Sequence, residues 1–277
     1  MVLSSRAAHR LHRLPASTKT PVVPTATRAK GKQNARFNSK RLAIAGRFPF
    51  LRNTGSVNLA DFDQLYANRH EEPVLAQCAQ LLEQAPHDYE WLWRHARLKH
   101  FQAMQSAEAG DSKTARNLYQ TASAHGAQAT KLDASRVEGT FWHSTCELEA
   151  ARLGGALAMM GVLSRAQKEL QRAARIDEEF HYAGPLRVLG RVTHFKPLAL
   201  GGMLDGAIAF YDRALQIAPR NSTNNLYLAD ALIADRQPKR AREVLHAILE
   251  NSDSQNWVWE TLRDQKSAQQ WLESRFD

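Results

Sequence analysis

Only two cysteines occur in the 277-residue chain, Cys78 and Cys146, and neither has a second Cys or His at metal-ligand spacing. That count excludes a disulfide framework. Each thiol, set in a helical pattern, reads as a small buried hydrophobe. Long apolar runs are missing as well: the stretch from Gly154 to Leu163 ends at Ser164 and Arg165, short of the roughly 18 residues that a membrane-spanning helix needs. Acidic residues are absent from the first 60 positions, where twelve Lys and Arg stand. Those twelve belong to a total of 37, so from Asp61 onward 25 bases face 28 acids, and the net charge of +9 resides at the start of the chain. Period-two alternation, the mark of a half-buried strand, is never sustained.

Residues 1–58 therefore read as a basic leader. Its Ser, Thr, Ala and Arg are interrupted by Pro15, Pro21 and Pro24, and it holds too little apolar surface to fold alone. The composition suits an organellar targeting segment, an overextended start or a plain basic tail. A secretory signal fits less well, because Arg47 and Pro49 break the nearest apolar stretch, Leu42 to Leu51. A cytoplasmic protein is favoured, with organellar import the alternative, and nucleic acid would be met only through this leader.

From residue 59 to 277 the pattern is helical throughout, with apolar residues three and four apart and Pro or Gly at the turns. Helices are expected near 59–68, 71–85, 88–106, 111–124, 129–152, 163–175, 183–194, 203–217, 222–234, 238–250 and 254–275. A repeat of 34 residues runs through the last third. Ala207, Tyr211, Ala214 and Pro219 stand 4, 3 and 5 apart, the offsets of the second helix of a tetratricopeptide repeat. Thirty-four residues on come Ala241, Leu245 and Ile248, and the intervening helix carries the large-small step Leu228-Ala229. Upstream, Leu189-Gly190 supplies another such step, and an extended loop containing Gly201 and Gly202 shifts the phase before Ala207. The residue types follow from packing: helices approach to roughly 8–10 Å only where small side chains meet, and Pro219 ends its helix because it lacks an N–H. The expected architecture is an all-α, tetratricopeptide-like stack of antiparallel helix pairs with irregular inserts.

Tyr89-Glu90-Trp91-Leu92-Trp93-Arg94-His95-Ala96-Arg97, Glu138 to Trp142, and Gly184 to Arg191 followed by Leu200-Gly201-Gly202 together resemble a family of divergent tetratricopeptide proteins. That family includes the T-component of tripartite ATP-independent periplasmic transporters and the eukaryotic regulators of microtubule dynamics. The resemblance spans roughly 61–250. It implies a compact helical bundle without catalytic chemistry that binds a partner protein or a ligand. The chain departs from the transporter component in showing no lipoprotein cysteine near its start, and it lacks the coiled-coil and membrane segments of some microtubule-associated members.

Candidate binding residues follow. Arg187 and Arg191, four apart on one helix face, could with His194 offer a cationic patch to a carboxylate or phosphate; local acids or helix ends are the competing partners. Asn225 could reach a peptide backbone from the concave face, or simply serve a helix start. Trp93 and Trp142 could line a cavity or fill the core. No His-Glu-x-x-His, nucleophile elbow or phosphate loop occurs, so no catalytic residue, metal or cofactor is assigned. The function expected is a non-enzymatic scaffold that binds a protein or peptide through a concave surface or central cavity; the alternative is a small-ligand carrier.

Overall fold

The computed structural model describes residues 58–196, 202–251 and 256–276; the leader, Gly201 and the rest of the loop at 197–201 lie outside them. Eleven helices and no strand are present among the described residues: α1 Leu59–Ala67, α2 Glu72–Glu83, α3 Tyr89–Glu108, α4 Ser112–Leu132, α5 Val137–Gly154, α6 Ala156–Ile176, α7 Phe180–Phe195, α8 Leu204–Ile217, α9 Ser222–Ala234, α10 Pro238–Leu249 and α11 Val258–Arg275. Among them, no helix is long and apolar enough to cross a membrane.

Local chemistry sets the helix starts. The side chains of Asn58, Asp88, Asp111 and Asn221 accept hydrogen bonds from the backbone N–H of Asp61, Trp91, Thr114 and Asn224, satisfying donors that a first turn leaves open. Pro73 and Pro238 occupy first-turn positions, where no N–H is needed.

Consecutive helices pack in pairs, α3 with α4, α5 with α6, α7 with α8 and α9 with α10, and each pair stacks on the next. The odd-numbered helices also meet one another in order, α3 with α5, α5 with α7, α7 with α9 and α9 with α11, and so form an inner layer. Small residues lie at the contacts. Ala207, Ala214, Ala229 and Ala241 are fully buried, as are Ala115, Ala122, Ala166 and Ala173. At Gly190 an added Cβ would overlap the Tyr211 ring, so α7 and α8 touch through that glycine. Leu189, Tyr211, Leu228 and Leu245 fill the adjoining space, and Pro219 sits exposed at the turn after α8. Each of the large buried side chains contributes about 1.5–3 kcal/mol.

Several bounds differ from the sequence expectation: α5 begins at Val137 and not near 129, because residues 129–132 belong to α4 and 133–136 form the turn, and α11 begins at Val258 and not near 254. α4 continues to Leu132, through Gly126, because that glycine lies against the backbone of His143 on α5, where a Cβ would stand 2.5 Å from the His143 nitrogen. α6 begins at Ala156, directly after Gly155 in its left-handed conformation (φ 93°), although Leu157 and Met160 in its first turns are exposed and show no buried stripe. α7 opens with three consecutive left-handed residues, His181, Tyr182 and Ala183, with φ of 53°, 60° and 59°.

Candidate functional site

The last helix closes the inner layer on the first. Arg69, just beyond α1, pairs with Glu260 of α11 at 2.7 Å. Trp259 meets Phe101 of α3 edge-on at 5.4 Å. The interior behind this seam is filled by rings: His100 lies 5.1 Å from Trp142, Trp142 lies 4.8 Å from His181, and His181 lies 5.0 Å from Trp257.

The residues singled out from sequence fall at several places around this interior. Arg187 is buried, and its guanidinium donates to the carbonyl of Tyr182 (3.2 Å), the carbonyl of His181 (3.4 Å) and Oδ1 of Asn224 (3.0 Å). All of these acceptors are neutral. Asn224 in turn donates to the Tyr182 carbonyl at 3.0 Å, so the two side chains together hold the left-handed turn. Arg191, one helical turn on, pairs with Asp230 at 2.8 Å and lies over the rings of Phe195 and Tyr227. His194 stacks on Phe195. Asn225 donates to the carbonyls of Pro219 and Asn221 at 3.0 Å each. Trp142 is buried and touches His181, whereas Trp93 donates to Glu90 at 3.1 Å beneath the guanidiniums of Arg94 and Arg97. Gly202 packs so closely on the Lys196 carbonyl that a side chain would overlap it. Arg187 and Trp142 thus meet at His181, Arg191 and His194 share Phe195, and Asn225 stands apart.

A polar cleft of about 200 Å³ opens at the seam, lined among others by Asp63, Tyr66, Arg69, Arg97, Tyr182 and Trp257. The Tyr66 ring lies close to two guanidiniums, that of Arg69 at 4.5 Å and that of Arg97 at 3.9 Å from its centre. Arg97 donates to Asp63, which Arg94 also claims through Nε at 3.2 Å. Two of the three left-handed residues, His181 and Tyr182, form part of the wall. Non-glycine residues held in that region cost about 1–2 kcal/mol each, and such strain gathers at functional sites.

Burial and the neighbouring charges shift the titratable groups around the cleft. Burial, with Arg187 and His100 nearby, holds the His181 imidazole well below the usual histidine range. Burial beside Arg187 takes His100 down to about 3. Burial lowers Arg187 to about 10 and outweighs Tyr66 and Asp63 in pulling Arg97 below the ordinary arginine value. Asp63 moves the other way: although burial opposes it, Arg94 and Arg97 hold its carboxyl low. Cys78 and Cys146 are free and buried, and burial pushes the Cys78 thiol up to about 11, so neither is poised as a nucleophile.

Asp63, Tyr66, Arg69, Arg97 and Trp257 were not picked out from sequence. The available signal was the three-residue spacing of Tyr66 and Arg69 and of Arg94 and Arg97, which puts each pair on one helix face. The seam that joins them spans 191 positions and leaves no local trace.

Comparison with known proteins agrees with this architecture. The tetratricopeptide repeat family matches residues 198–258. Among solved structures, the chain is similar to a thermophilic TPR protein of Thermus thermophilus, at 21% identity, covering 76% of this chain and 97% of that one with a TM-score of 0.55. No curated protein gives a significant match. The chain has a tetratricopeptide-like helical-repeat fold.

Proposed function

We propose that the chain is a non-enzymatic helical-repeat scaffold that binds a partner protein or peptide, with the seam cleft between α1, α3 and the start of α11 as its docking point. The observation that carries this reading is the left-handed turn at His181–Ala183, held in place by Arg187 and Asn224 beside a polar cleft. A fold dominated by packing has no use for three strained residues there, whereas a recognition site does. The cleft's volume favours a protein partner over a carried small molecule. About 200 Å³ admits one side chain or a chain end, and sites for whole small molecules run from roughly 300 to 1,000 Å³. Tyr66, Tyr182, Trp257 and two arginines are also the residue types that dominate protein interfaces. Kinship with the transporter T-component or the microtubule regulators, suggested by the motif order from Tyr89 to Arg191, belongs to this proposal.

A photo-reactive phenylalanine analogue placed at Tyr182 tests it, with the exposed Leu262 on α11 as control. Partner adducts are expected from position 182 and not from 262. The reverse pattern would remove the cleft from the partner surface.

A further inference from the structure

We infer that the outer face of α4 and α6 seats the chain on an anionic lipid surface, with Leu157 and Met160 at the start of α6 entering the interface. This face is distinct from the seam cleft, and the inference stands whether or not that cleft is the docking point for a partner.

Exposed apolar surface marks the place. From Gly154 to Leu163 no side chain is polar. Leu157 and Met160, 85% and 69% exposed, are the two most exposed large apolar side chains among the described residues. Ala156 and Gly161 beside them are exposed as well, so the four form a contiguous apolar corner and are not scattered singles. A Cβ added at Gly155 or Gly161 would meet nothing within 4 Å. The corner therefore projects into open space, where a flat surface can reach it, and has no walls with which to grip a peptide.

Charge continues the same stripe. At about 100° per residue, Ser164, Lys168 and Arg175 fall within roughly 20° of Leu157 around α6, and all three are exposed. Glu169, the single acid of the helix, is turned about 120° aside and pairs with Arg172. On the other side of α5, α4 holds Lys113, Arg116 and Lys131 and no acid at all. Arg116 lies against Gly154, next to the apolar corner. Arg152 and Arg165 flank that corner too, paired with Glu149 and Glu147. Since 28 acids outnumber 25 bases from Asp61 onward, this basic face runs against the balance of the body. An apolar tip and a basic flank together hold a charged bilayer more firmly than either alone. Nucleic acid would meet the charge and leave Leu157 and Met160 in water, whereas a lipid interface meets both. The twelve Lys and Arg of the first 60 residues add to the same attraction, so the test must separate them from the corner.

An environment-sensitive dye on Leu157→Cys does so in the full chain, because Cys78 and Cys146 are buried and do not compete for the label. Vesicles of phosphatidylcholine and phosphatidylserine are expected to brighten and blue-shift the dye, and a nitroxide high on the acyl chain to quench it. Vesicles of phosphatidylcholine alone are expected to do neither, and the same dye on Leu262→Cys of α11 is expected to stay unchanged. Met160→Asp, a surface change, is expected to abolish the response at 157. Lys168→Gln with Arg175→Gln is expected to raise the lipid concentration at half response about thirtyfold, the loss of two charges near an anionic leaflet. Equal response to neutral vesicles overturns the inference. So does vesicle binding that leaves the dye at 157 unchanged, which assigns the attraction to the leader. A response that grows with protein concentration without lipid makes a second copy the occupant, an equal response to polyglutamate makes it an acidic polypeptide, and either result overturns the lipid assignment.

Discussion

Arg69 and Glu260 form a buried ion pair at 2.7 Å across 191 positions of sequence, tying the end of α1 to the start of α11. Removing one partner of such a pair leaves a buried charge alone, and this costs about 3–5 kcal/mol. Glu260→Ala is therefore expected to lower the urea midpoint sharply. The double variant Arg69→Met with Glu260→Leu, which leaves no unpaired charge, is expected to recover most of that loss. Equal destabilisation by the single and double variants would show that the seam depends on something other than this pair.

Arg187 and Arg191 are one helical turn apart and are expected to respond differently. Arg187→Ala strips the Tyr182 carbonyl and Asn224 of a buried donor, a loss of about 2–4 kcal/mol when both groups are left short. Arg191→Ala breaks a partly exposed pair with Asp230 and costs about 1 kcal/mol or less. Denaturant melts of the two variants check the difference, and a larger loss at Arg191 would contradict the role given to the turn.

Small residues at helix contacts give a third test. Ala214 is fully buried against Ala183 and Leu186, while its neighbour Arg213 is exposed and paired with Glu178. Ala214→Arg is expected to cost about 3 kcal/mol or more, and Arg213→Ala about 0.5 kcal/mol at most. Equal melting temperatures would refute the packing assignment.

Two partly buried histidines make stability depend on pH. His100 stays neutral down to about 3 in the folded chain, against roughly 6.5 when unfolded. As pH falls from 6.5 toward 3 the unfolded chain takes up a proton that the fold refuses, so stability is complete above that window and is lost within it. His181, also lowered, acts in the same direction. Each contributes up to about 1.4 kcal/mol per pH unit. The melting temperature is expected to fall between pH 7 and pH 5, and to fall less steeply in His100→Phe. An unchanged slope in that variant would place the titration elsewhere.

The sequence showed most clearly what is local. The Ala207, Tyr211 and Ala214 pattern and its echo at Ala241 and Leu245 placed α8 to α10 almost to the residue, because small-large spacing on one helix face is a direct consequence of packing. Gly126 hid the continuity of α4: a glycine that admits a neighbouring backbone looks the same in sequence as one that ends a helix. The left-handed turn contains no glycine or asparagine to announce it, since tertiary contacts from Arg187 and Asn224 hold it. The chemistry of the cleft escaped for a similar reason. Asp63, Arg69, Arg97 and Trp257 become neighbours only when α11 closes on α1 and α3, and no single-sequence spacing records that closure.

Hydrogen exchange of the full chain, free and bound to a partner captured at position 182, tests the placement of the site most directly. Slower exchange is expected at residues 63–69, 97–101, 180–184 and 256–260, with the outer helices α4, α6, α8 and α10 unchanged. Protection confined to those outer helices, with the seam exchanging as before, would contradict it.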